Sequence, residues 1–291
     1  MRIGILGSES SHAMQFAKFY NLPDPETGKP RFEDIRVIAI MGDEISAAET
    51  ARQAEIPHIV TDAEEMADMV DAVMITSRRG SEHLAQAQPF IAKGMPLFVD
   101  KPFTSDVAQA TELAAAIVKA GCPVLGGSGC KYSEGIQALK DRVATLRQEG
   151  KLRSAMMDFA LVPDSPYDGF WFYASHLVEI CMEVFGTEIL AVQAMKTEKS
   201  VLANVRYADL VVSLHFVADV WRNHACTLVT VDGSVTLPLD TAGSLDQEAT
   251  RFANLLHGTY QTMTADELVR PVVIMDAISR AEAAEKTLTL K

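Results

Sequence analysis

Apolar residues fall into two alternating patterns along the first 122 positions of the chain. Arg2–Leu6, Arg36–Met41, His58–Val60, Asp71–Ser77 and Met95–Val99 are short apolar or β-branched runs, whereas Ser11–Tyr20, Ser46–Glu55, Ala63–Val70 and Ser81–Lys93 have helical character. Runs that are apolar on both sides predict strands covered on both faces, and strand–helix alternation predicts a doubly wound parallel sheet. A further helix is expected between a cap at Ser105 and a stop at Gly121. The one interruption is Asn21–Asp34, where Pro23, Pro25, Gly28 and Pro30 rule out a continued helix. An exposed excursion is expected there, as a lid or an edge contact.

After Val124, Leu125 and a run read as flexible, Gly126-Gly127-Ser128-Gly129, long strands replace the alternation. Leu152–Val162, Glu188–Met195, Val201–Tyr207, Leu210–Val217, Ala225–Val231 and Ser234–Leu237 read as strands, several with one polar and one apolar face. Helices are expected at Ala174–Phe185, Gln247–Leu256 and Ala265–Ala284, able to cover the apolar face. The expected class is α/β followed by α+β. An N-terminal domain at 1–122 carries the parallel sheet, and a C-terminal domain at 123–291 carries a large open, mostly antiparallel sheet.

Composition narrows the function. With 48 % hydrophobic residues, 22 % charged residues and a formal net charge of −13, the chain is globular and poorly suited to a phosphate backbone, so nucleic acid is not expected as a partner. Cys122, Cys130, Cys181 and Cys226 form no Cys-x-x-Cys pair, and the chain opens on a strand without a basic and apolar leader. Reduced thiols in a cytoplasmic protein are expected. No apolar run approaches the roughly 20 residues that span a bilayer.

The candidate chemistry clusters at predicted strand ends. In open parallel sheets ligands bind beyond the carboxyl ends of the strands. Lys101 stands there, in Asp100-Lys101-Pro102, with Pro102 restricting it and fixing the chain's exit; a solvated loop lysine is the bland alternative. Gly4-Ile5-Leu6-Gly7-Ser8-Glu9-Ser10-Ser11-His12 lies where a dinucleotide fold places its phosphate loop, yet Glu9 and His12 occupy the places of the second and third fingerprint glycines. A carboxylate beside a diphosphate repels it, so either Glu9 turns away or the loop no longer binds diphosphate closely. Ser8, Ser10 and Ser11 offer hydrogen bonds to an anion, and the helix amino end favours one. Asp43, after the second strand, is the candidate for ribose hydroxyls, which makes NAD preferred over NADP; a solvated helix-start acid competes with it. Thr76-Ser77-Arg78-Arg79 shares the edge, where Arg78 and Arg79 suit a carboxylate or phosphate. His83 stands inside the helix that follows.

Tyr167-Asp168-Gly169-Phe170-Trp171-Phe172-Tyr173-Ala174-Ser175-His176-Leu177-Val178-Glu179 is a second candidate site, and an ordinary core contact is its competing reading. His176 and Glu179 share one helix face, and histidine suits proton transfer near neutrality. His215 and His224 lie in strand regions without partnered Cys or acid spacing, so no metal is expected.

These pieces resemble the glucose-fructose oxidoreductase, inositol dehydrogenase and MocA family of NAD(P)-dependent oxidoreductases, over essentially the whole chain. The most specific likeness is Ala72–Thr76 through His83 and Gly94 to Asp100-Lys101-Pro102, which is similar to the family's Glu-Lys-Pro motif with Asp100 in place of the glutamate. Lys131-Tyr132 resembles the family's first second-domain segment, with Lys131 replacing an arginine, and the ending from Arg251-Phe252 to Leu290 follows the family as well. The resemblance implies a Rossmann-type first domain. It also implies a lysine and an Asp-x-x-x-His pair flanking nicotinamide and the reacting carbinol. Lys101 and His176 match by position, but Phe172 stands where the aspartate belongs, which makes Tyr173 and Asp168 the nearest replacements by sequence.

The resulting expectation is a hydride transfer between NAD or NADP and a sugar, polyol or related hydroxy compound. Lys101, His176, Tyr173 and Asp168 are assigned to catalysis. Gly7, Ser8, Ser10, Ser11, His12, Asp43, Thr76, Ser77, Arg78, His83, Asp100 and Lys101 are assigned to the cofactor, and Lys101, Lys131, Arg79, Trp171 and His176 to the substrate. A dimer or tetramer is expected from the face an open sheet leaves exposed. Glu9, His12 and Phe172 favour a rival, a non-catalytic sugar or nucleotide sensor on the same fold. An enzyme that uses bound NAD only transiently is a third reading.

Overall fold

Strands buried on both faces build the first half of the chain. The computed structural model describes residues 1–290. In it β1 (Arg2–Leu6), α1 (Ser11–Asn21), β2 (Arg36–Met41), α2 (Glu44–Gln53), β3 (His58–Ile59), α3 (Ala63–Met69), β4 (Ala72–Ile75), α4 (Gly80–Ile91), β5 (Leu97–Asp100), α5 (Val107–Ala120) and β6 (Val124–Gly127) alternate. The strands form a six-stranded sheet in the order β3-β2-β1-β4-β5-β6, parallel throughout. Every residue of β4, β5 and β6 is buried, as helices on both faces require. The order reverses between β1 and β4, which makes their carboxyl ends the switch point of the sheet.

Side chains begin these helices in a regular way: Ser10, Asp43, Asp62 and Asp106 each accept a first-turn N–H. The cap of α5 is therefore Asp106 and not Ser105, because the Asp106 carboxylate reaches the Gln109 N–H at 2.9 Å. Gly121, at φ 69°, ends that helix as expected.

The excursion after Asn21 packs down on its own unit. The Asn21 side chain bonds the backbone of Val37 and Ala54, Arg31 lies over the Phe19 ring at 4.7 Å, and Phe32 meets Phe19, Tyr20 and His257. The excursion is largely exposed, and these contacts agree with an edge contact, one of the two roles expected of it.

The second half opens with a 3-10 turn at Gly129–Tyr132, then α6 (Glu134–Gln148), β7 (Leu152–Leu161), α7 (Trp171–Phe185), β8 (Ala191–Lys196), β9 (Ser200–Arg206), β10 (Val211–Ala218), β11 (Ala225–Thr230), β12 (Gly233–Pro238), α8 (Ser244–Leu256), α9 (Ala265–Ala284) and β13 (Leu288–Thr289). A seven-stranded sheet runs β12-β11-β7-β10-β9-β8-β13, antiparallel except where β7 meets β10. Its apolar face, including Val201, Ala203 and Val205 with Leu214 and Phe216, shares a core with Leu177, Ile180 and Cys181 of α7. Helix α6 goes beyond the elements expected from the sequence: Ser133 caps it, and Ile136, Leu139 and Val143 bury one face.

Two units result, Met1–Gly127 with Leu245–Val269, and Ser128–Ser244 with Arg270 onward. This differs from a contiguous division at 122/123. Gly126 and Gly127 pair within β6, and the segment from Leu245 returns to the first unit's core, where Tyr20 Oη donates to the Ala249 carbonyl at 2.6 Å and Phe252 meets Phe98. Among the described residues no helix is long and apolar enough to cross a membrane.

Candidate functional site

In the first unit, the carboxyl edge of the sheet brings together the loops after β1, β2, β4 and β5. Gly7, at φ 93°, is required by close approach: a Cβ there would lie 2.2 Å from the Ser77 nitrogen. Ser8 is turned toward the next loop, its hydroxyl donating to the Asp43 carbonyl at 3.2 Å and lying 2.8 Å from Ser46 Oγ. Ser10 Oγ accepts the His12 N–H as the α1 cap. Of the three serines expected at an anion, only Ser11 is exposed. Glu9 does turn aside, accepting the Arg78 N–H at 3.1 Å.

His12 and Asp100, each at a position where the sequence departs from the motif it resembles, meet each other. His12 Nδ1 lies 2.7 Å from Asp100 Oδ2, and Asp100 Oδ1 accepts the Lys101 N–H at 2.7 Å. Burial pushes the Asp100 carboxyl up, but His12's charge and hydrogen bond, together with Lys101, outweigh it and hold the group below the usual aspartate range. Lys101 is buried at the end of β5, ahead of a cis bond to Pro102.

Other candidates serve the scaffold. Thr76 Oγ1 donates to the Leu6 and Gly7 carbonyls, and Ser77 Oγ bonds Gln86. Both His83 ring nitrogens face backbone carbonyls, of Phe103 and Ser77, so this fully buried imidazole ties the β4 and β5 loops together, where a cofactor contact was expected. Arg78 is half-buried, and exposed Arg79 pairs with Glu82 at 3.7 Å. Exposed Asp43 caps α2 through the Ser46 N–H.

In the second unit, α7 carries His176 and Glu179 one turn apart, both buried. His176 Nδ1 lies 2.7 Å from Ser128 Oγ and 3.5 Å from Cys130 Sγ. Glu179 Oε2 accepts the Ser128 N–H at 2.9 Å and Lys131 Nζ at 2.8 Å, a buried ion pair whose remaining bonding offsets its desolvation. Tyr173 and Phe159 place their rings 5.3 and 5.8 Å from that of His176. Trp171, at the first position of α7, packs half-buried on the core, and the Asp168 carbonyl accepts the Trp171 N–H. His176 Nδ1 is thus met by Ser128 and Cys130, neither of which was a candidate from the sequence.

Ser128 and Cys130 escaped sequence reasoning because the run containing them reads as a linker. His224 is also paired after all: its Nδ1 lies 3.1 Å from Asp158 Oδ2, across 66 residues, and it stacks on Phe159. No cluster of three metal-ligating side chains occurs among the described residues.

The residues at the first unit's edge fit a dinucleotide: a helix amino end at the switch point, a neighbouring carboxylate turned onto a backbone amide, and an acid after β2. Residues 1–128 match the model of an oxidoreductase family with an NAD-binding Rossmann fold. Solved structures share the whole fold. A myo-inositol 2-dehydrogenase from Lactobacillus plantarum superposes with a TM-score of 0.83 at 13 % identity, covering 100 % of this chain and 99 % of its own. GenD2 from gentamicin A biosynthesis, in complex with NAD, gives 0.83 at 18 % identity, covering 100 % and 96 %. A scyllo-inositol dehydrogenase from Lactobacillus casei, with NAD(H) and scyllo-inositol, gives 0.82 at 14 %, covering 99 % and 98 %. No curated protein sequence matches the chain.

Proposed function

We propose that this chain is an NAD-dependent oxidoreductase of the glucose-fructose oxidoreductase, inositol dehydrogenase and MocA family, acting on the CH–OH group of a sugar, polyol or related hydroxy compound, a reading supported by the match of residues 1–128 to the model of an oxidoreductase family with an NAD-binding Rossmann fold. Bound dinucleotide supplies the hydride acceptor or donor. The α1 amino end, Ser11 and His12 take the diphosphate side, and Asp43 takes the ribose hydroxyls, which favours NAD over NADP. Thr76, Ser77 and His83 hold the loops that shape this edge.

The observation that carries the reading is Lys101. Lysine is among the side chains least often buried, and this one is buried at the carboxyl end of β5, with its backbone fixed by Asp100. Its ammonium donates to the substrate oxygen and stabilises negative charge developing there. His176 accepts the carbinol proton in oxidation and returns it in reduction. Lys131, Arg79 and Trp171 are assigned to substrate recognition, and Tyr173 shapes the wall beside His176.

The rival is a binding module that has lost the chemistry, and Phe172 in place of the family aspartate is what favours it. Titration with NADH and NADPH, followed by a screen of polyols and their ketones for change in NADH absorbance, separates the two. The oxidoreductase turns over, and K101M lowers turnover by orders of magnitude while the fold persists. Normal turnover in K101M removes the role assigned to Lys101, and nucleotide binding with no turnover on the whole panel favours the sensor.

A further inference from the structure

The loop between β10 and β11, residues 219–224, reaches the His176 cluster at two points. The Trp221 indole meets the Tyr173 ring edge-on at 5.3 Å, and the His224 imidazole stacks on the Phe159 ring at 4.5 Å. Tyr173 and Phe159 both pack beside His176. We propose that His224 is a further substrate-binding residue: its Nε2 accepts a hydrogen bond from a second hydroxyl of the substrate, so that the site selects a polyhydroxy compound over a simple alcohol. The inference rests on the assignment of His176 to proton transfer and leaves the carbinol proton with His176.

Asp158 decides which ring nitrogen is available. Its Oδ2 lies 3.1 Å from His224 Nδ1, and its Oδ1 accepts the Ala225 N–H at 3.1 Å, so one carboxylate fixes both the ring and the backbone beside it. A carboxylate accepts and does not donate, so the neutral ring carries its proton on Nδ1 and keeps a lone pair on Nε2. The His224 side chain is 9 % exposed, and its Nε2 neither bonds a described residue nor is closed off from solvent. A ligand that covers such an acceptor must supply the donor that water otherwise supplies. A hydroxyl does this, whereas a methyl group or an ether oxygen does not.

A comparison within the chain separates this histidine from a scaffold one. His83 closes both ring nitrogens on backbone carbonyls, but His224 closes only the one that Asp158 holds. The backbone keeps the ring in place. Asp219 and Asn223 bracket the loop at φ of 64° and 58°, the left-handed region that acid and amide residues adopt more readily than other side chains. The His224 carbonyl accepts the Leu239 N–H at 2.8 Å, which ties the end of the loop to the chain leaving β12.

The test is nitrogen NMR of the full chain labelled in its histidines, with H224A assigning the signals, followed by titration with myo-inositol, D-glucose and sorbitol in the presence of NADH. The neutral wild-type ring should show a protonated Nδ1 and a bare Nε2, and a polyol that binds should move the Nε2 signal to lower frequency. For a polyol that is turned over, H224A should raise KM about tenfold with kcat nearly unchanged, and H224Q, whose amide oxygen replaces the acceptor, should recover most of the loss. A protonated Nε2 in the neutral wild type overturns the proposal without recourse to any variant, and so does an Nε2 signal that no polyol moves. An H224A enzyme that keeps the wild-type KM, or that loses kcat and thermal midpoint together at constant KM, overturns it as well. Turnover reports on the oxidoreductase reading separately: a wild type whose Nε2 signal moves while no polyol is oxidised defeats that reading and leaves His224 as a hydroxyl-binding residue.

Discussion

The carboxyl edge of the first unit and the His176 cluster of the second both contain a histidine held at 2.7 Å by a buried oxygen, but the oxygens are of different kinds. His12 faces the Asp100 carboxylate, which attracts positive charge; His176 faces the Ser128 hydroxyl, which carries none. In the first unit two residues that depart from the motifs the sequence resembles, His12 for a glycine and Asp100 for a glutamate, are hydrogen-bonded to each other. In the second, the acid missing at Phe172 is answered by a neutral group from a distant segment. A changed motif residue is thus best interpreted through its partner in space, since the same substitution can preserve a local charge balance or alter it.

The comparison breaks most visibly if the lysine beside Asp100 is dispensable. Replacing Lys101 by Met should lower turnover by about 10²- to 10³-fold, the usual cost of removing one donor that stabilises developing charge, with the circular dichroism spectrum unchanged. Next in size is the ion pair behind Ser128. Glu179→Ala removes the carboxylate that buried Lys131 meets and should cost about 3–5 kcal/mol in urea denaturation, the range for breaking a buried pair from one side; a loss near zero would mean that Lys131 reaches solvent.

Asp100→Asn should cost less, about 1–3 kcal/mol, and its pH dependence sharpens the contrast. The Asp100 carboxyl is held below its ordinary range, so its contribution is fully present above the unfolded value of roughly 4 and fades as pH falls through the lower folded value. The stability gap between wild type and Asp100→Asn should therefore close in acid below about pH 4. At the small end, Arg2→Ala breaks an exposed pair with Asp71 at 2.7 Å and should leave the urea midpoint unmoved.

Much of the fold was legible because its signals are local. The runs of β1, β2, β4, β5 and β6 are largely apolar on both faces, and Gly121 and Asp43 sit at helix ends with side-chain or backbone reasons visible in the sequence. Helix α6 was hidden because Gly126-Gly127-Ser128-Gly129 drew attention away from Ile136, Leu139 and Val143, which repeat at helical spacing. The return of Phe252 to the first core had no local signal either. In the site, Lys101 and His176 were visible through motif spacing. The partners that define their settings lie 88 residues apart for His12 and Asp100, and 48 for Ser128 and His176, and one sequence does not encode such pairings in any readable period.

The most direct measurement is fluorescence titration of the nucleotide-free protein with NADH, with Glu9→Gly as companion. The account predicts binding at micromolar strength, about −8 kcal/mol, because Glu9 is already turned onto the Arg78 amide and does not oppose the diphosphate. Wild type that fails to bind, with binding appearing only in Glu9→Gly, would contradict it and show that the carboxylate keeps the cofactor out.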